Sequence, residues 1–518
     1  MTFCLVMSEK RCNFAGGKNS YNRRNRENTH TFRQIKTHYE RMIIGRKKEL
    51  EQLVEAYESE YSEFVAVYGR RRVGKTFLVR EAFDYRFTFQ HAGLSKSNMK
   101  KQLAAWKSSL ADAGMKVRAT PKSWIDAFDL LKELIRNSEE RKKVVFIDEM
   151  PWMDTKRSEF IPALEHFWNG WASSRKDVLL IVCGSATSWI INKVIKNHGG
   201  LHNRVTHKVH LKQFTLKECE EYAESLKLKL TRKQVMECYM VMGGVPFYWS
   251  LMNKRLSMSQ NIDALFFDED AVLKGEFDEL YSSLFRQPEI YVNIVRTLGE
   301  KRVGMLREEL IEEGNIADTG HLSQALEDLE YCGFIRRYNL IGRKKKGAVF
   351  QLTDFYTLFY FKFIQHNVRG DRQFWSKSIN TPMHAAWCGL AFERVCLLHV
   401  DQIKRALSIG GVQSSESAWY STRKKRNEWR SDGAQIDLLI DRNDDVIDVC
   451  EMKYYQDEVV LDEEEVGKIE NRMLRLREET GTEKAIHAIL VTTKGLKRNA
   501  YSDVVQDVVT MSDLFGDF

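Results

Sequence analysis

The stretch Val65–Phe83, VAVYGRRRVGKTFLVREAF, decides the reading of this chain. Its middle, Gly69-Arg70-Arg71-Arg72-Val73-Gly74-Lys75-Thr76, has the spacing G-x-x-x-x-G-K-[ST] of a phosphate-binding P-loop. The flanks suit that role. Phe64 to Tyr68 is an apolar run that reads as a buried strand, and Phe77 to Phe83 reads as the start of a helix. The strand delivers the loop, the glycines let backbone N–H groups approach phosphate, and the helix N-terminus adds its positive dipole end. Lys75 is expected to reach the β- and γ-phosphates, and the Thr76 hydroxyl to ligate Mg²⁺.

Such a loop needs an acidic partner for the metal. Arg141–Glu149, RKKVVFIDE, supplies one: a short apolar run ends in Asp148-Glu149. Ligands bind at the carboxyl ends of strands in open α/β sheets. Asp148 is expected to hold the Mg²⁺ shell and Glu149 to position the attacking water. A third run, Val178–Thr187, reads as another parallel strand. Ser185 and Thr187 at its end are candidates for sensing a γ-phosphate, or a helix N-cap. Beyond it, Arg204 follows a Gly-rich turn and is a candidate arginine finger, with a plain surface arginine as the other reading. His198, His202, His207 and His210 show no metal-ligand pattern. Residues 212–280 look largely helical, broken by Gly243-Gly244-Val245-Pro246.

Met42 to about Leu280 resembles the prokaryotic AAA+-related family of archaeal-type ATPases, within the wider group of signal-transducing (STAND) P-loop ATPases. The matching segments are IIGRKKEL (Ile43–Leu50), VYGRRRVGKT (Val67–Thr76), FIDEMPWMD (Phe146–Asp154), CGSATSW (Cys183–Trp189), GGLHNRV (Gly199–Val205) and GGVPFYW (Gly243–Trp249). The resemblance implies ATP and Mg²⁺ as ligands and a helical lid over the base. It implies either an ATPase or a slow nucleotide-controlled switch.

The remainder of the chain has its own organisation. Ile294–Gly314 and His321–Leu340 carry leucines at helical spacing, followed by the basic stretch Arg343-Lys344-Lys345-Lys346 and the strand-like AVFQLTD (Ala348–Asp354). Helices followed by a β-hairpin with a basic tip are similar to the winged-helix domains attached to such ATPases. Lys344–Lys346 would then meet a phosphate backbone or remain solvated.

Gly433–Tyr455, GAQIDLLIDRNDDVIDVCEMKYY, is the second informative stretch. It reads as two strands joined by a turn at Arg442–Asp445. Alternate residues share a face, so Glu451 and Lys453 point the same way and a hairpin brings Asp437 close to Glu451. Two carboxylates and a lysine at one spot suit Mg²⁺ or Mn²⁺ and attack on a phosphodiester. This D…E-x-K pattern resembles the PD-(D/E)xK nuclease superfamily, with Glu393 in GLAFERVCLLHV (Gly389–Val400) at the place of its acidic helix. Leu461–Glu479 would be the crossover helix and Lys484–Thr493 the parallel strand. Ile436 stands where that family usually has proline. Trp419, Tyr420, Arg423, Lys424, Lys425 and Arg426, just before the hairpin, suit a nucleic-acid grip or a loop around a buried tryptophan.

The expected fold is thus multidomain α/β: a disordered extension over 1–41 with Met42 as the native start, an AAA+-like P-loop core over 42–211, a helical lid over 212–284, a winged-helix-like segment over 285–370 and a restriction-endonuclease-like α/β domain over 371–518. The expected function is an ATPase coupled to a nuclease-like domain acting on nucleic acid, DNA rather than RNA, and able to form a homo-oligomer. The alternative is an assembly switch whose C-terminal domain binds without cutting. Composition agrees with both. The chain has 518 residues and a net charge of +8, mildly basic. Nine cysteines without C-x-x-C pairs fit a reducing, cytoplasmic setting. No apolar run approaches a membrane span, and neither a secretory signal nor a transporter signature stands out.

Overall fold

The computed structural model describes residues 43–196, 199–285, 287–341, 347–421 and 435–517. The proposed extension 1–41, His198, the basic tip Lys344–Lys346 and the stretch Arg423–Arg426 lie outside the described residues. Contacts divide the chain at Ile44, and everything below concerns Gly45–Phe518.

Five short strands form the first sheet: β1 (Glu63–Tyr68), β2 (Phe89–Ala92), β3 (Lys143–Asp148), β4 (Val178–Gly184) and β5 (His207–His210). Their order is β2-β3-β4-β1-β5, and all pairs are parallel. β1, β3 and β4 are near-continuous apolar runs because helices cover both faces of a parallel sheet. The helices Met99–Asp112, Trp124–Asn137 and Phe160–Gly170 pack one face through Trp106, Trp124, Phe128 and Phe167. The sheet is a parallel P-loop NTPase core, with the P-loop leaving β1 and β4 standing between β1 and β3.

Helices Leu216–Ser225, Arg232–Met242, Pro246–Ser250, Met258–Phe266 and Glu276–Leu284 occupy the segment expected to form a lid. Three of them begin with a capping box, at Thr215, Thr231 and Ser257, which explains their sharp starts. Next come the helices Pro288–Glu300, Arg307–Gly314 and Gly320–Tyr331. A small antiparallel sheet, β6 (Met305–Leu306), β7 (Ile335–Asn339) and β8 (Ala348–Leu352), accompanies them in the order β6-β8-β7.

The C-terminal sheet has the order β13-β12-β11-β10-β9, from β9 (Ser414–Tyr420), β10 (Gln435–Arg442), β11 (Val446–Lys453), β12 (Ala485–Thr492) and β13 (Asp507–Thr510). β9, β10 and β11 are antiparallel, while β12 and β13 join parallel to β11, reached through the helix Glu463–Thr480. Trp419 and Tyr420 are strand residues of β9, and Trp419 is buried against Ile436 and Leu439.

One apolar cluster runs without interruption from Phe214 through Trp249, Leu329, Phe359 and Trp387 to Phe515. The lid, the middle segment and the C-terminal sheet therefore share a core, while the first sheet has its own. Among the described residues no helix is long and apolar enough to cross a membrane.

Candidate nucleotide site and acid cluster

Backbone geometry explains both P-loop glycines. Gly69 has φ +143°, and a Cβ there would lie 2.2 Å from the Leu211 carbonyl oxygen, because Leu211 runs alongside after β5 and donates its N–H to the Tyr68 carbonyl. Gly74 has φ +91° and caps the helix Lys75–Ala82. Left-handed backbone of this kind favours glycine. Lys75 is buried, and its Nζ donates to the carbonyls of Gly69 and Arg70, both at 2.8 Å, so the loop wraps its own ammonium.

Thr76 Oγ1 donates to Asp148 Oδ2 at 2.7 Å, joining the P-loop to the end of β3 across β4. The other Asp148 oxygen accepts the Glu149 N–H at 2.9 Å. A hydroxyl and a buried carboxylate side by side are hard oxygen donors, the set Mg²⁺ prefers, so Thr76 and Asp148 fit the metal expected of them. Glu149 sits at φ +46° in the left-handed region, at the turn that leaves β3. Its carboxylate accepts from Ser185 Oγ at 2.5 Å and from the Ser185 N–H at 3.2 Å. Ser185 thus meets the acid rather than standing alone as a phosphate sensor. Burial pushes the Cys183 thiol well up, and Asp148 adds to that, so the sulfur beneath these acids stays protonated and inert.

The three P-loop arginines turn away from the loop. Arg70 forms an ion pair with Asp354, with both side chains buried, and its guanidinium lies over the Phe334 ring at 4.8 Å. Burial alone would lower the Arg70 pKa, but Asp354 outweighs it and the net direction is up. Arg71 donates to Ser283 Oγ at 2.6 Å. Arg72 pairs with Glu276 at 2.8 Å and lies over Phe247 at 4.2 Å. The P-loop motif assigns Arg70, Arg71 and Arg72 to the nucleotide, and in this structure their side chains hold Asp354, Ser283 and Glu276. Their partners, 204 to 284 residues away along the chain, carry no motif.

Arg204 is exposed in the turn before β5, and no described contact joins its side chain to the P-loop. Thr187 is buried at the start of the short helix Thr187–Ile190.

The C-terminal acids are brought near one another, as alternation predicts. The register Leu438↔Cys450 places Asp437 and Glu451 as the next facing pair. Lys453 Nζ lies 4.0 Å from Glu451 and donates to Glu465 Oε1 at 2.8 Å. Glu393, fully buried in the helix Pro382–Leu398, is held by two arginines: Arg394 Nη1 donates to one oxygen at 2.6 Å and Arg302 Nε to the other at 2.5 Å. Burial pushes the Glu393 carboxyl up, Asp437 adds to this, and the two arginines oppose it. Arg472 takes Glu451 Oε2 at 2.7 Å, and Gln435 donates to Asp437. Among the described residues no three acids, histidines or cysteines gather closely enough to hold a metal ion. Of the expected metal set Glu393, Asp437 and Glu451, arginines contact Glu393 and Glu451, while Asp437 accepts from the Gln435 amide. Arg302, Arg394 and Arg472 lay outside the sequence reading, since arginines without a motif give no local signal.

Residues 43–251 match a protein family described as an ATPase domain predominantly from Archaea. An uncharacterized protein of Methanocaldococcus jannaschii is 24 % identical over 331 residues, covering 63 % of this chain and 70 % of the relative. Among solved structures, the Walker-type ATPase of Pyrococcus abyssi aligns with 61 % of this chain and 95 % of its own at 18 % identity, with a TM-score of 0.44. The ORC2 protein of Aeropyrum pernix, solved in ADPNP–ADP complexes, aligns with 60 % of this chain and 90 % of its own at 17 % identity and a TM-score of 0.33. The family match spans the P-loop, Asp148, Glu149, Ser185 and Arg204, so the nucleotide site lies wholly within a segment similar to ATPase domains. The small sheet β6–β8 and the C-terminal sheet lie beyond it.

Proposed function

We propose that the chain is a Mg²⁺-dependent ATPase whose nucleotide state governs a nuclease-like C-terminal domain acting on nucleic acid, DNA rather than RNA. The observation that carries the ATPase half is the Thr76–Asp148 hydrogen bond at 2.7 Å, which puts the P-loop hydroxyl and the β3 carboxylate at one place beside Glu149. In this reading the loop N–H groups and the N-terminus of the helix Lys75–Ala82 bind the phosphates. Lys75 exchanges its two carbonyl partners for phosphate oxygens. Thr76 and Asp148 would hold Mg²⁺, which would supply neutralisation of phosphate charge. Glu149 orients water and accepts its proton, and the Ser185 contact sets the carboxylate's direction. Arg204, exposed as a finger must be, serves a neighbour's nucleotide in a homo-oligomer.

The nuclease-like reading is supported by the order helix Pro382–Leu398, antiparallel β9-β10-β11, helix Glu463–Thr480 and parallel β12, with Asp437 facing Glu451. The three helices and antiparallel sheet over 288–352 support a winged helix. A second reading, a switch that binds nucleic acid without cutting it, is favoured by one observation: Glu393 and Glu451 are paired to arginines.

Fluorescent ATP binding and phosphate release test the ATPase half. Lys75→Ala should lose binding, whereas Glu149→Gln should bind ATP and lose hydrolysis. Undiminished hydrolysis by Glu149→Gln would overturn the assigned role.

A further inference from the structure

Arg46 stands just before the helix Lys47–Glu58, and its side chain is buried. Its guanidinium joins two backbone carbonyls that lie far apart in the chain. Nη2 donates to the Val73 carbonyl inside the P-loop at 3.3 Å and to the Lys212 carbonyl beyond β5 at 2.8 Å. The guanidinium carbon lies over the Phe214 ring, 4.6 Å from its centre, and Glu49 stands 3.8 Å from Nη1. Burial pulls the Arg46 pKa down, and Glu218 and Glu49 oppose that. Phe214 is itself fixed: its N–H donates to the Gly244 carbonyl at 2.7 Å, and its carbonyl accepts from the Tyr239 hydroxyl at 3.0 Å. The anchor on which Arg46 rests is therefore rigid.

The Val73–Gly74 peptide is the one that Arg46 grips. A trans peptide is planar, so its C=O and N–H point in opposite directions. The Val73 carbonyl points to Arg46, and the Gly74 N–H therefore points away from it. Among the described residues no acceptor takes that N–H. Phe214 and the Lys212 carbonyl close off the space around the guanidinium, which leaves phosphate the other side of the peptide, the side that the Gly74 N–H faces. Arg72 and Gly74 flank Val73 in left-handed backbone, at φ +71° and +91°. Glycine tolerates either sign of φ, so this peptide is free to turn over unless its carbonyl is held. Turned over, it would aim a carbonyl oxygen at an anion where an N–H is needed.

We infer that Arg46 is a positioning residue for phosphate binding: by holding the Val73 carbonyl it keeps the Gly74 N–H turned towards the phosphates. The inference rests on the reading of the P-loop as an ATP site. It also accounts for an arginine at this position. The planar guanidinium lies flat over an aromatic ring and donates at its edge, whereas a lysine ammonium is a hydrated point charge that keeps the donors without that stacking. Methionine fills similar space and leaves the Val73 carbonyl with no donor from this side.

Titration calorimetry of the full chain with Mg-ATP and with inorganic Mg-tripolyphosphate tests this, because tripolyphosphate reads the phosphate contacts without the base or sugar. Arg46→Met should weaken both ligands by the same factor, about tenfold to a hundredfold, the scale of one charge-assisted hydrogen bond. Arg46→Lys should fall between Arg46→Met and the wild type. An Arg46→Met chain that binds tripolyphosphate as the wild type does overturns the inference. A loss for ATP that tripolyphosphate does not share overturns it too, since Arg46 would then serve the base end. A lowered urea midpoint with both affinities intact would leave Arg46 a packing role only and has the same force. If Arg46→Met does not fold, Arg46→Lys decides: it should bind tripolyphosphate more weakly than the wild type, and an equal affinity overturns the inference. If the wild type binds neither ligand, the ATP-site reading itself fails.

Discussion

Asp354→Asn is the substitution with the largest consequence outside the nucleotide site. Asp354 pairs with Arg70 where the two side chains are 2 % and 3 % exposed. Its second oxygen accepts from the Thr357 N–H at 3.0 Å and the Thr357 hydroxyl at 2.6 Å, capping the helix Phe355–Phe359. Asparagine keeps an acceptor for the cap but removes the charge opposite Arg70, whose Nε and Nη2 already lack hydrogen-bond partners. Removing one member of a buried ion pair costs about 3–5 kcal/mol, because the other charge stays buried without compensation. The retained cap places Asp354→Asn near the lower end, about 3 kcal/mol, or about a hundredfold in the local opening equilibrium. Amide exchange read by mass spectrometry on peptides covering 69–74 and 351–357 measures that opening. The double variant Arg70→Met with Asp354→Asn removes both charges and should recover most of the loss, since an apolar pair of similar volume is often neutral. Exchange in Asp354→Asn within a factor of about three of the wild type, or a double variant no slower than the single one, would refute the buried-pair argument.

Acid should weaken the junction between the lid and the helix Pro382–Leu398. His399 is buried, accepts the Leu216 N–H at Nε2 and donates Nδ1–H to the Val395 carbonyl, an arrangement only the neutral ring can make. Burial pulls its pKa down to about 4. The unfolded chain therefore takes up the proton first, so this stability is whole above about pH 6.5 and is lost as pH falls towards 4. His91, also pulled down to about 4 by burial, acts in the same direction in the first sheet. Urea midpoints measured from pH 7 to 4 should fall, and His399→Gln should flatten the slope while lowering the value at pH 7; an unchanged slope counts against the assignment. The two P-loop glycines should differ on substitution. Gly69→Ala meets the Leu211 carbonyl and should abolish fluorescent-ATP binding, whereas Gly74→Ala has open space and bears only the left-handed backbone cost of about 1–2 kcal/mol. Equal affinities in the two variants would contradict the close approach of Leu211 to the loop.

The parts of this architecture that sequence reveals are those fixed by short-range rules. The apolar runs at Phe64, Val144 and Val178 become β1, β3 and β4 because a strand buried on both faces must be apolar throughout. The turn Arg442–Asp445 and the alternation around it place β10 and β11 to within two residues and face Asp437 towards Glu451. What sequence could not reveal is where unassigned charges go. Arg70 and Asp354 lie 284 residues apart, and Arg302 and Glu393 lie 91 apart, with no periodicity or spacing to connect them. Their pairing depends on tertiary packing, and above all on the apolar cluster that fuses the lid, the middle segment and the C-terminal sheet. The Ser185–Glu149 contact was hidden for the same reason: each residue ends its own strand, and only the sheet order puts those ends side by side.

That distinction limits what the three P-loop arginines can do. A phosphate could draw Arg71 from its serine, or Arg72 from Glu276, without stranding the arginine in a dry interior, since the Arg72 side chain is 16 % exposed and Arg71 holds only neutral acceptors. Arg70 differs. To reach a phosphate it would have to leave Asp354 as a bare carboxylate at 2 % exposure, and the cost of that step exceeds what one charge-assisted hydrogen bond returns, about 1.5–3 kcal/mol. Arg70 therefore stays with β8 whatever the loop binds, and phosphate recognition falls to Lys75 and the backbone N–H groups. Movement of the loop on binding must then either carry the end of β8 with it or be opposed by it, and the same strand end holds Leu352 and Gln351 against the arginines of the acid cluster.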